Sequence, residues 1–170
     1  MILLFTFSSS WALPAEALEE YQMKAAFLYN FAKFVEWPPD TFKSAGAPIV
    51  GCVLGVSPFS SALERAANGR MIEDRKFLIR HISDLRQVAG CQILFVTATE
   101  RRTPRAILKE LKNRGILTVG EVDGFTSEGG VANFKLEGGR IRIQINLAAA
   151  EREKLRISPK LLNMAQIVGN

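Results

Sequence analysis

The segment CQILFVTATERRTPRAILKELKNRGILTV, Cys91 to Val119, sets the architecture. CQILFVTA is a short, continuous apolar run and reads as a strand buried on both faces. Thr103 followed by Pro104 is a helix start, a hydroxyl cap with proline at the first helical position. Ile107, Leu108 and Leu111 then share one face, the helix runs to Asn113, and Gly115 ends it. ILTV is the next strand. Parallel neighbours need a crossover, and a strand–helix–strand run supplies one.

The same alternation extends toward the N-terminus. PIVGCVLG, after Ala47, is a buried strand. Ser57-Pro58 caps a helix to about Ala67, RKFLIRHI is a strand, and SDLRQVAG is a short helix ending at Gly90. Toward the C-terminus the pattern changes. VANFKLE and RIRIQIN alternate with period two, placing Ile141, Ile143 and Ile145 on one face and Arg140, Arg142, Gln144 and Asn146 on the other. EGG between them is a hairpin turn. AAAEREKL and SPKLLNMAQIV read as closing helices, with Leu161, Met164, Ala165 and Val168 inward. The expected fold is α/β: a three-layer α/β/α sandwich with a mostly parallel mixed sheet and a C-terminal antiparallel hairpin at its edge.

Before the first strand, Leu18 to Glu36 reads as a helix stopped by Trp37-Pro38-Pro39. Met23, Phe27, Phe31 and Phe34 form one stripe, and Tyr21, Ala25, Leu28, Ala32 and Val35 a second beside it. This arc is wider than the ~100° of an ordinary surface helix. It asks for burial on two sides, by its own sheet and by another layer or subunit, so a homodimer is expected. Residues 1–17, MILLFTFSSSWALPAEA, have an apolar start and end in Ala15-Glu16-Ala17, a secretory signal pattern with cleavage after Ala17. That leaves 18–170 as a single domain. Cleavage removes Glu16 and no base, moving the formal charge from +5 to +6.

The two cysteines, Cys52 and Cys91, are too far apart for a redox CxxC and too few for a zinc site. In the cytosol they would be buried thiols; in an exported chain an even pair suggests a disulfide. In a doubly wound sheet of strand order 2-1-3 their strands are neighbours about 4.8 Å apart. A disulfide tolerates about 7 Å between Cα atoms, so the pair is expected to be bonded.

Little else carries chemistry. GEVDGFTSEGGVANF, Gly120 to Phe134, holds four glycines. It contains neither dinucleotide nor Walker spacing, and a strand rather than a helix follows Gly129-Gly130, so the glycines serve backbone turns. There is no G-x-S-x-G elbow. His81 is the only histidine and lies in a strand, where a structural role outweighs a triad. No metal or cofactor set emerges. Arg101, Arg102, Arg105, Lys109, Lys112 and Arg114 gather around one helix. No nucleic-acid module accompanies them, and a solvated face accounts for them. Near the last helix, Arg156 stands just before the Ser158-Pro159 cap. The functional reading is that Arg156 and Ser158 bind an anionic group, on a small ligand or on an acidic patch of a partner. The plainer one is a cap beside a solvated guanidinium.

Three stretches in order, KAAFLYNFAKFVEWP, LTVGEVDGFTSEGGVANF and RIRIQINLAAAEREKLRISPKLLNMAQIV, resemble the YfiR family of small bacterial periplasmic proteins. The resemblance implies a mixed-sheet α/β sandwich, export to the periplasm, self-association and no enzymatic activity. It also implies a role as repressor, binding the periplasmic sensor portion of a membrane-bound diguanylate cyclase and so controlling cyclic-di-GMP and biofilm formation. Some relatives carry a cysteine pair around the Gly-Gly turn. Here Thr126 and Asn133 stand in that stretch, so a redox role tied to that pair is not carried over. The reading is a non-catalytic periplasmic regulator; the alternative is a small-molecule-binding module with its crevice at the carboxyl ends of the strands.

Overall fold

The structure, a computed structural model, describes residues 15–57 and 59–169. The expected leader over 1–17 therefore lies, through Pro14, outside the described residues, as does the Pro58 of the expected helix cap. The elements run α1 (Ala15–Phe34), β1 (Val35–Glu36), β2 (Ile49–Leu54), α2 (Phe59–Ala67), β3 (Met71–Ile72), β4 (Arg75–Ile82) and β5 (Ile93–Val96). Then come α3 (Pro104–Leu111), β6 (Leu117–Gly120), β7 (Ala132–Glu137), β8 (Arg140–Ile145), α4 (Leu147–Arg152), β9 (Arg156–Ile157), α5 (Pro159–Leu162) and β10 (Ala165–Ile167).

Eight strands form one sheet in the order β10-β8-β7-β6-β5-β2-β4-β3. From β4 to β7 every pairing is parallel. The hairpin β7–β8 and the short β3–β4 pair are antiparallel. After β2 the chain steps to β4 on one side and then to β5 on the other, the 2-1-3 order expected.

This path needs cover on both faces. Along β5 the side chains alternate: Ile93 and Phe95 join a core with Leu28 and Phe31 of α1 and Leu63 and Ala67 of α2. Leu94 and Val96 join another with Leu85, Val88, Ile107, Leu111 and Phe125. The three-layer sandwich follows. The aromatic centre of the first core is Phe134 of β7, only 2% exposed. Its ring stacks on Phe31 at 5.7 Å and meets Phe27 and Phe95 at 6.1 and 6.0 Å.

Three expectations need correction. The first helix stops at Phe34, because Val35 and Glu36 pair as a strand with Ile157 and Arg156. The SDLRQVAG helix is a single 3-10 turn, Leu85–Gln87, closed by a capping box between Asp84 and Gln87. The last helix is one turn long. Asn163 and Met164 leave it, and Ala165–Ile167 runs parallel to β8. The hairpin is therefore not the sheet edge; β10 is. Leu161 is buried as expected, whereas Met164 is 48% exposed.

Replacing Phe134 by alanine removes the ring that the other three pack on. We expect a loss of about 3–5 kcal/mol in urea unfolding. A loss under about 1 kcal/mol would show that α1 is held elsewhere.

Candidate functional site

The glycine-rich stretch resolves into a loop built around one side chain. Phe125 is fully buried. A Cβ on Gly120 or on Gly130 would each stand 2.3 Å from its ring, so both positions must lack one. The turn is closed by Gly130 N–H donating to the Phe125 carbonyl (3.0 Å). Asn146 Nδ2 donates to the Thr126 carbonyl (3.0 Å), and Val131 N–H to the Thr118 hydroxyl (3.1 Å). These glycines admit an aromatic plug into the second core.

The carboxyl ends of the strands carry a feature that periodicity does not show. Lys24, on the buried side of α1, is 6% exposed. Its Nζ lies 2.7 Å from Glu121 Oε2, just past β6, and also reaches Glu20 one turn earlier. Glu121 Oε1 accepts the Ala98 N–H (2.8 Å), just past β5. One carboxylate thus ties the first helix to the rims of two central strands. Burial alone would lower the Lys24 pKa. The hydrogen bonds to Glu121 and Glu20, with their charges, outweigh it and hold the pKa above the ordinary lysine value.

Next to this rim lies a crevice of about 640 Å³, bordered by Gly55, Val56, His81, Ser83, Thr99 and Arg101. It opens where β4, β2 and β5 end. The Thr97 and Thr99 hydroxyls share a hydrogen bond of 2.9 Å, and Thr99 also donates to the Val56 carbonyl. His81 Nε2 sits 2.9 Å from Glu64 Oε1 of α2, so the histidine serves a helix-to-strand contact.

Cys52 and Cys91 are bonded, with Cα atoms 5.8 Å apart. They sit in the second core at 0% and 5% exposure. Arg80, opposite Cys52 on β4, donates to the Ala89 carbonyl and to Cys91 Sγ. Arg156 is strongly exposed, with Nε 3.9 Å from Glu36 Oε2 across the β1–β9 pair. Ser158 Oγ accepts the Leu161 N–H (3.4 Å), and Ser158 N–H donates to the Phe34 carbonyl (2.9 Å). The structure so brings Arg156 and Ser158 to the C-terminal end of α1, while the cysteines lie in the core. Among the described residues no cluster of His, Cys, Asp or Glu is placed to hold a metal ion, and no helix is long and apolar enough to cross a membrane.

A family model described as YfiR/HmsC-like matches residues 21–166. No curated protein matches the chain. Among solved structures, a conserved domain protein from Vibrio cholerae O1 biovar eltor is similar with a TM-score of 0.57 at 11% identity, over 88% of this chain and 60% of that one. An ABC domain from Streptococcus pneumonia in complex with L-Trp is similar with a TM-score of 0.53 at 10% identity, over 87% of this chain and 60% of that one. The chain thus spans three-fifths of each, and at these identities the likeness is one of fold.

Two outcomes follow from the geometry. Lys24→Met leaves the Glu121 carboxylate buried beside an apolar side chain, which we expect to cost about 3 kcal/mol in urea unfolding at neutral pH. Because the folded-state pKa of Lys24 is raised above 10.5, its contribution is complete below that pH and fades as pH rises through the folded value. On the alkaline side the gap between wild type and variant should therefore narrow only above pH 10.5. A gap unchanged between pH 8 and 12 would refute the assignment. For the disulfide, the closed loop predicts about 3–4 kcal/mol lost in Cys52→Ala/Cys91→Ala. Free-thiol titration of the unreduced, denatured protein should find none.

Proposed function

The chain belongs to the YfiR/HmsC-like family, and on that premise we propose that it acts by binding rather than by catalysis. It is exported, its partner is the periplasmic sensor portion of a membrane-bound diguanylate cyclase, and its binding holds that enzyme inactive. Release then raises cyclic-di-GMP and promotes biofilm formation. The family match, which spans nearly all of the expected mature chain, carries this reading. The disulfide supports export, since such bonds persist in oxidising compartments.

Repression of this kind requires only that the regulator bind the inactive state more tightly than the active one. Cleavage after Ala17 would remove three residues of α1 and leave Lys24 and the aromatic face in place. Much of the wide apolar arc of α1 is covered within the chain: Ala25, Leu28, Phe31 and Ala32 are buried. Leu18 and Met23 stay exposed, as does Leu136 on the facing hairpin. They are the surface we assign to a homodimer. We assign Arg156 and Ser158 to an acidic group on the partner; the strongly exposed guanidinium, only loosely engaged by Glu36, supports that assignment, and Ser158 would share its capping hydroxyl.

A second reading is favoured by the crevice of about 640 Å³ at the strand ends. There the chain is a small-molecule-binding module, with the ligand at the point where the strand order reverses. The L-Trp held by the Streptococcus pneumonia domain is a small ligand on a similar fold. Native mass spectrometry of purified protein should then show a bound small molecule.

The direct test of the first reading uses the mature chain as bait on detergent-solubilised membranes. A diguanylate cyclase should be recovered, and Arg156→Ala should weaken its binding by roughly 1.5–3 kcal/mol in calorimetry, with melting temperature unchanged. Recovery of membrane proteins without a cyclase would reject the reading. Full affinity in the variant would reject the Arg156 contact alone.

A further inference from the structure

The basic residues of α3 are not spread evenly around that helix. Arg105 and Lys109 on the helix, with Lys112 at its C-terminal cap, follow the i, i+4, i+7 spacing of one helical stripe. Together with Arg152 of α4 they line a cleft of about 570 Å³ between α3 and the glycine-rich loop. That volume lies within the range of small-ligand clefts. None of these three cations forms a salt bridge among the described residues, whereas the neighbouring Arg102 takes Glu110 at 2.8 Å.

The acids facing the cleft do not neutralise it. Glu153 is buried, and its two oxygens receive the Asn113 and Gly115 N–H groups at 3.0 Å each. It therefore serves to close the end of α3. Glu128 is the other acid on the lining. Arg152 donates one Nη2 bond to the Gly129 carbonyl (3.0 Å) and has its Nε 4.0 Å from Glu153, leaving Nη1 without an acceptor among the described residues. Arg105 is the informative member. It sits in the first turn of α3, where the helix dipole disfavours a cation, and one turn from Lys109, a like charge. Neither placement helps the fold, and both become favourable once an anion occupies the cleft.

We propose that this cleft binds a phosphate-bearing anion, with Arg105, Lys109, Lys112 and Arg152 as its ligands. Guanidinium forks match the paired oxygens of a phosphate, and lysines complete the charge balance. The phosphate can come from a soluble metabolite or from a phospholipid headgroup at the membrane surface. The site is separate from Arg156 and Ser158 and does not depend on the cyclase reading.

The test titrates mature, disulfide-bonded protein with inorganic pyrophosphate by calorimetry at low salt. In parallel, sedimentation with phosphatidylglycerol vesicles is compared with phosphatidylcholine vesicles. Binding to pyrophosphate identifies a soluble ligand; binding confined to phosphatidylglycerol identifies a headgroup; either supports the site. Arg105→Gln/Lys109→Gln should weaken that binding at least tenfold. Arg114→Gln/Lys154→Gln, the same charge change on the adjacent cleft, should leave it within twofold. No binding to either probe would overturn the proposal, as would equal loss in both double variants, which would reduce the effect to net charge.

Discussion

The structure depends on the burial of β2 and β5 on both faces. These neighbouring parallel strands have no wet side, so each needs a layer above and a layer below. The chain meets that need with α1 and α2 on one face and with the 3-10 turn, α3 and Phe125 on the other. The disulfide sits within this constraint. Cys52 on β2 and Cys91 just ahead of β5 meet in the second core, where a covalent link holds two strands that the sheet already pairs.

The rim above those strands is fixed by specific polar contacts rather than by apolar burial. Glu121 holds Lys24 of α1 on one oxygen and the Ala98 amide on the other. A buried ion pair is a costly way to join elements, and packed apolar residues often do as well. What the pair adds is geometry. It sets where α1 lies over the strand ends, and so shapes the surface that a partner or ligand meets. A loop already held in place loses less entropy on binding. The Phe125 plug works alike, seating the loop between β6 and β7 against the second core.

Fold and function are linked loosely here. The solved structures at 10–11% identity share this architecture and nothing more, and a fold by itself does not fix a function. What this chain offers a partner is the distribution of its side chains. A basic stripe lies on α3, an exposed arginine at the β1–β9 pair, and hydroxyls gather at the ends of β2 and β5. Each is a surface suited to recognition, which accords with a family whose proposed work is binding.

Much of this was legible along the chain. Cys91–Val119 dictated a parallel sheet because its strand and helix periods switch cleanly, and the 2-1-3 order brought Cys52 and Cys91 within disulfide reach. The Thr103 cap, the hairpin at Gly138-Gly139 and the structural role of the glycines also follow from local chemistry. Tertiary structure decided the rest. Val35-Glu36 and Ala165–Ile167 have helical neighbours and too few residues for a period to show, and they became strands only because a partner strand lay alongside. Lys24 reads as one more solvated charge on a mixed helix, since nothing near it in sequence reveals Glu121, 97 residues away. Local periodicity records which face of an element is apolar; only the packed chain determines which distant charge that face will meet.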